Sequence, residues 1–179
     1  IEQCGDLFCS NPKWLIGFSD ITILHSAVNN RDIASIHSIM AKHLTELAAD
    51  APAVVQLKNI LQGNFPEYEF PLENLNRTGV ATGKLIGGNL SVLAGMRGTP
   101  FDLKYKNNIL FIEDVEEEPY HIDRMMQNLR LGGVLSSISG LIVGQFSDCT
   151  EDPRMMKTIK EIIADAVSNY NYPVCFNFQ

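Results

Sequence analysis

A serine lying between a short apolar run and a helical pattern is the first residue in this chain with the means to do chemistry. Trp14-Leu15-Ile16-Gly17-Phe18 reads as a strand, and Ser19 follows it directly. Ile21, Leu24 and Val28 then recur at helical spacing, with Asp20 at the positive end of that helix. A serine at such a turn lifts its hydroxyl above the end of a sheet. The backbone N–H of the next residue, Asp20, then points at any oxyanion that forms. The nucleophile-elbow pattern is Gly-x-Ser-x-Gly; Gly17 meets its first position, and Ile21 stands where the second glycine belongs. The same residues suit a plain helix N-cap, so the pattern alone leaves both roles open.

A serine at its free pKa is a weak nucleophile and needs a neighbouring base. The histidines are His25, His37, His43 and His121. His25 lies six residues after Ser19 on the same helix and faces another direction. His37 ends a second strand, Ile33–His37, and is the best placed of the four, although a hydrogen-bonded structural histidine is the plainer reading. His43 and His121 are expected at the surface. For an orienting acid, Glu113 follows directly on the apolar strand Ile109-Leu110-Phe111-Ile112, at a strand end where open α/β sheets gather their sites. The acidic residues after it, Asp114 to Glu118, read as a solvated turn leading into a helix. Gly87-Gly88-Asn89 could offer backbone N–H groups to a ligand, or be an ordinary turn. A nucleophile and an orienting acid are therefore in view, without a convincing base.

The elements that must position these groups alternate along the chain. A helix is expected from about Thr45 to Leu61, interrupted near Pro52 and closed at Gly63. Residues 64–78 carry two prolines and little periodicity, as a crossing between domains would, with an edge strand near Tyr68-Glu69-Phe70. Gly79 to Ile86 reads as a strand ended by Gly87-Gly88-Asn89, and a short helix begins at Leu90. Pro119 opens a helix through Leu129 that Gly132-Gly133 ends, and Leu141-Ile142-Val143 is a further strand. Pro153 opens an amphipathic helix through Ile159, Ile162 and Ile163, and Tyr172 to Phe178 is the last strand. Strand–helix alternation of this kind indicates an α/β fold.

Composition narrows the function. With 179 residues, 45% of them hydrophobic, the chain can build one substantial core, or one domain and part of another. It has no apolar run near the ~18 residues that span a bilayer. A net charge of −7 speaks against a nucleic-acid groove or an anionic membrane as partner. Cys4, Cys9, Cys149 and Cys175 form no metal-type pair, and Cys175 in its apolar run reads as a buried thiol. Sparse, irregular cysteines suit a reducing compartment, so a cytoplasmic protein is expected. The start at Ile1, without an initiator methionine or a signal-peptide pattern, reads as a fragment or a processed form. Neither G-x-G-x-x-G nor G-x-x-x-x-G-K-[ST] occurs, so a nucleotide cofactor has no support, and no histidine pair has zinc spacing.

Four segments in order carry a resemblance: Asn11 to Thr22, Gly87-Gly88-Asn89-Leu90-Ser91, Ile109 to Val115 with Pro119 to Met125, and Gly140 to Phe146. Together they resemble the serine L,D-carboxypeptidases, the muramoyltetrapeptide carboxypeptidase family (peptidase family S66), collinearly from about Asn11 to Phe178. The resemblance implies a Ser–His–Glu triad with Ser19 as nucleophile, Glu113 as its glutamate and the N–H of Asp20 as one oxyanion donor. Gly87, Gly88 and Asn89 are assigned to substrate binding. The family's histidine falls in a Gly-His segment just after a strand like Tyr172 to Phe178, beyond Gln179. Its Arg-Gly-Gly-Tyr-Gly-like loop, the second oxyanion donor, falls upstream of the residues given. Ser38-Ile39 stands where relatives usually have Gly-Pro.

The fold so implied is α/β in two parts. Residues 1–63 are the end of an N-terminal flavodoxin-like domain, and residues 64–179 are a C-terminal barrel-like α/β domain, incomplete at its end. The activity implied is cofactor-free and metal-free release of the terminal D-alanine from a muropeptide tetrapeptide, at an L,D bond, in peptidoglycan recycling by a homodimer. The alternatives are a microcin-immunity-type hydrolase of the same family, or an inactive fragment. The 179-residue chain alone, lacking its base, is expected to be inactive.

Overall fold

The computed structural model describes residues 5–178; Cys4 lies outside them. After α1 (Gly5–Ser10), β1 (Ile16–Gly17) pairs in parallel with β2 (Ile36–His37), setting Gly17 opposite His37. Between them a 3₁₀ turn, Ser19–Ile21, runs straight into α2 (Thr22–Asn29), which buries Thr22, His25, Ser26, Ala27 and Val28. Both strands are shorter than their apolar runs, because each finds only two residues of partner among the described residues. Trp14, at the start of the first run, stays 49% exposed.

The helix expected at 45–61 divides into α3 (His43–Glu46) and α4 (Pro52–Leu61). Pro52 starts the second piece, where its fixed φ suits a helix and its missing N–H costs nothing. The edge strand expected near Tyr68–Phe70 does not form. The two rings stack on one another at 6.0 Å and pack on Phe178, at 5.1 and 4.8 Å, so this segment docks through aromatic contacts instead of a ladder.

The second part is a parallel sheet of β3 (Leu85–Asn89), β4 (Ile109–Val115), β5 (Gly140–Ser147) and β6 (Val174–Cys175), in that order. It carries α5 (Leu90–Gly95), α6 (Pro119–Leu131), α7 (Val134–Ser137) and α8 (Ile159–Ala166). Leu90, Leu93, Leu110, Ile122, Met126 and Ile163 are wholly buried where helices meet strands. The α/β expectation therefore holds, with several local corrections. Gly87-Gly88-Asn89 lies inside β3, and β4 continues through Glu113 and Asp114. Pro153 opens only a 3₁₀ turn (Pro153–Met155), and α8 starts later, at a capping box of Thr158 and Glu161. The short α7 was not anticipated, and the last strand is Val174–Cys175 alone.

The glycines of β3 are there for close approach. A Cβ on Gly87 would lie 1.9 Å from the carbonyl oxygen of Phe111, and its φ is +130°. A Cβ on Gly88, φ +143°, would lie 2.5 Å from Oγ1 of Thr22. Backbone cannot yield to a methyl group at the first of these. Gly87→Ala is expected to cost more than ~3 kcal/mol of stability, read as a lowered urea midpoint. An unchanged midpoint would contradict the register of β3 on β4.

Candidate active site

Ser19 sits at φ +57°, a backbone region that non-glycine residues rarely occupy, directly after the extended Phe18 (φ −145°, ψ −171°). Such strain costs on the order of 1–3 kcal/mol and persists only where the surroundings enforce it. Here they do. A Cβ on Gly17 would meet the Ile21 side chain at 2.9 Å, so the isoleucine that departs from the elbow pattern closes over the glycine that keeps it. The Gly17 carbonyl accepts from the Ser38 N–H at 3.0 Å and from Nε2 of His25 at 3.0 Å. Because a carbonyl only accepts, Nε2 of His25 carries the proton and Nδ1 accepts from the Ser35 hydroxyl, 2.8 Å away. Burial lowers the His25 pKa, which keeps this neutral tautomer. His25 is thus spent on holding the elbow. The Ile21 N–H closes the turn on the Phe18 carbonyl at 3.2 Å, while the exposed Asp20 supplies one of the first amides of the helix, the kind that lack intrahelical partners.

Glu113 comes from the other part of the chain. Alternation along β4 buries Leu110, Ile112 and Asp114 on one face and leaves Phe111 and Glu113 together on the other. On that second face a Cβ on Gly144 of β5 would lie 2.8 Å from the Phe111 ring and 3.3 Å from the Glu113 side chain. His37 approaches from β2, with Nε2 3.8 Å from Oε1 of Glu113 and its ring edge-on to Phe111 at 5.1 Å. Burial, with His25 close by, pushes His37 down to about 4, so the imidazole is neutral at pH 7. Burial, with the Asp114 charge next to it, pushes Glu113 up to about 7. A neutral ring at 3.8 Å is a contact, not an ion pair. Oε1 of Glu113 is buried without a hydrogen-bond partner among the described residues. A carboxylate in that state is an acceptor with capacity to spare.

The Ser19 turn and the Glu113 strand are connected through buried side chains. Thr22, three residues after Ser19, is wholly buried, and its Oγ1 accepts from the Asn89 N–H at 3.0 Å. Asn89 caps α5 by accepting from Val92 N, and its Nδ2 donates to Oδ1 of Asp114 at 2.8 Å. Oδ2 of Asp114 accepts from Ser91 N at 2.9 Å. Asn89, expected to meet a ligand, therefore commits both its amide and its side chain inside the protein. Asp114 is 2% exposed, which corrects its reading as part of a solvated turn.

Other expectations fare unevenly. His121 is half-buried, with Nδ1 2.9 Å from Glu117 Oε2, and Nδ1 of His43 accepts from Met40 N while its ring lies 5.6 Å from Phe18. Neither is a free surface residue. Cys175 is half-buried, short of the full burial expected. Thr22 and Gly144 carry no role in the sequence reading, and Asp114 carries a different one. Only the alternation of β4 could have pointed to Asp114, and a continuous apolar run hides alternation.

Comparison with known proteins shows which family and fold the chain shares. Residues 82–179 match the LD-carboxypeptidase C-terminal domain, and residues 4–38 match the LD-carboxypeptidase N-terminal domain. The chain is 34% identical to the "Probable murein peptide carboxypeptidase" of Bacillus subtilis over 97% of its own length and 56% of that protein's. It is 31% identical to the microcin C7 self-immunity protein of Escherichia coli over 97% of its length and 59% of that protein's. The chain thus spans a little over half the length of these relatives. In fold it resembles the crystal structure of muramoyltetrapeptide carboxypeptidase from Oxalobacter formigenes, with a TM-score of 0.81 at 24% identity, covering 97% of this chain and 60% of that one. With more than half of its residues matched by the C-terminal model and the elbow segment by the N-terminal one, this chain belongs to the LD-carboxypeptidase family.

Proposed function

We propose that the protein carrying this chain is a serine carboxypeptidase that releases the terminal D-alanine of a muropeptide tetrapeptide at its L,D bond. The observation that carries this reading is the strained Ser19 docked, through Thr22, on the sheet whose Glu113 presents an unpartnered buried oxygen. Ser19 Oγ attacks the carbonyl carbon of the penultimate residue and gives its proton to an imidazole. The N–H of Asp20 donates to the oxyanion. Collapse expels D-alanine, which takes the proton, and water then cleaves the acyl-enzyme by the same steps in reverse roles. Glu113 holds the imidazole in the productive tautomer. In this reading the histidine comes from residues beyond Gln179, and residues 1–63 and 64–179 are parts of two domains. No cofactor takes part, and the protein works in the cytoplasm as a homodimer.

A second reading has its own support: His37, 3.8 Å from Glu113, is itself the base. Its low pKa makes it a weak one. Incubating the full-length protein with a murein tetrapeptide, and separately with an aminoacyl sulfamoyl nucleoside, decides among these. D-alanine release that survives His37→Gln supports the first reading. Release abolished by His37→Gln in a folded protein supports the second. Cleavage of the nucleoside alone would move the protein to the immunity branch.

A further inference from the structure

The hydrogen bonds beneath the site run unbroken from the elbow to the strand that carries Glu113. The Thr22 N–H bonds to the carbonyls of Ser19 and Asp20. Its hydroxyl accepts from Asn89 N, Asn89 Nδ2 donates to Asp114, and Asp114 precedes Val115, whose N–H it also accepts at 3.0 Å. Every side chain on this route is at most 4% exposed: Thr22 0%, Asn89 4%, Asp114 2%. Gly88 has no side chain where Thr22 must fit. The two parts of the chain therefore meet, directly under Ser19, through a buried polar contact, Asn89 N–H on Thr22 Oγ1, whose geometry leaves little play.

We propose that Asp114 and Thr22 are positioning residues for the hydrolysis: the Thr22–Asn89–Asp114 relay fixes Ser19 relative to Glu113. The inference rests on the functional reading above and extends it to residues that touch no substrate. It has an electrostatic side. The groups facing Glu113 are His37 from β2, Asn89 opposite it on β3, the backbone of Gly144 on β5 and Asp114 on its own strand. Of these, His37 and Asp114 titrate, and Asp114 itself feels Glu117. His37 stays neutral through the working range, so Asp114 is the charge that raises Glu113, and any imidazolium paired with it, beyond what burial does.

Three variants of the full-length protein, assayed for D-alanine release from a murein tetrapeptide across pH, test this. Thr22→Val keeps the shape and removes the acceptor; kcat is expected to fall about 10- to 100-fold with KM within about twofold. Thr22→Ser restores the hydroxyl and is expected to recover kcat to within about threefold of the parent. Asp114→Asn is expected to move the acid limb of kcat/KM down by ~0.5–1 pH unit, an effect that a purely structural role would not produce. Wild-type kcat in Thr22→Val, or failure of Thr22→Ser to recover it, overturns the relay. An unmoved acid limb in folded Asp114→Asn overturns the electrostatic part, and where that variant does not fold, the two Thr22 variants decide. If Ser19→Ala is as active as the parent, the functional reading itself has failed, which none of the relay variants would report.

Discussion

Ser19→Ala in the full-length protein is expected to lower kcat for D-alanine release by about four to six powers of ten while leaving the fold intact. Removing the nucleophile of a triad costs about as much as removing the whole unit, because the remaining groups then have nothing to activate. Stability should hardly change. Ser19 occupies a left-handed backbone conformation that an alanine shares at similar cost, and its hydroxyl has no hydrogen-bond partner among the described residues, so the melting temperature should stay within a degree or two of the parent. Steady-state kinetics and a thermal melt on the same preparation check both halves. Unaffected turnover would remove Ser19 from the chemistry, and an unfolded variant would contradict the structural account of the elbow.

Glu113→Gln is expected to separate activity from stability more sharply. The amide cannot hold an imidazole in the right tautomer, and a loss of about 10³- to 10⁴-fold in kcat follows from the triad logic. The same change should stabilise the 179-residue chain at alkaline pH. Glu113 has a folded pKa of about 7, above the ordinary glutamate value of 4.5. The folded state therefore binds this proton more tightly than the unfolded state does. The associated stability is present in full below pH ~4.5 and is lost as pH rises through 7. Above pH 7 the chain folds against the cost of an ionised, 16% exposed carboxylate, and glutamine removes that cost. Urea unfolding should show Glu113→Gln more stable than the parent by on the order of 2–3 kcal/mol at pH 8, and equal to it at pH 4.5. A variant less stable at pH 8 would show that Glu113 is satisfied inside the fold, and would weaken its assignment to a site.

What the sequence made legible was local and covalent. The order Trp14 to Val28 already contained a strand, a turn and a helix, and a serine at their junction needs no distant partner to be recognised. The elbow's other supports were not legible, because they come from the residues that flank β2: Ser38 N–H on the Gly17 carbonyl, from just after it, and Ser35 on His25, from just before it. β4 shows the limit from the other side. Ile109-Leu110-Phe111-Ile112 is apolar throughout, so its period of two is invisible, and the extension through Glu113 and Asp114 depends on neighbouring strands that offer pairing partners. Once the strand continues, the two adjacent acids must part: Glu113 to the face of His37 and Phe111, Asp114 to the buried cap of α5. Gly87-Gly88-Asn89 misled for a related reason. A glycine pair before a helix is a turn by composition, and only the carbonyl of Phe111 and the hydroxyl of Thr22 reveal that both glycines are strand residues cleared for close approach. Pro153 is similar: it suits a first helical turn, but the Thr158–Glu161 capping box starts α8 where the pattern of Ile159, Ile162 and Ile163 truly begins.

The account stands on the hydroxyl of Ser19 being the attacking group. Treating the active full-length protein with a serine-directed fluorophosphonate, with and without excess murein tetrapeptide, and mapping the adduct by peptide mass spectrometry addresses this directly. The expected result is a single adduct on Ser19 that forms in step with loss of activity and is suppressed by the tetrapeptide. Inactivation that is protected by the tetrapeptide but places the adduct on any other residue would contradict it.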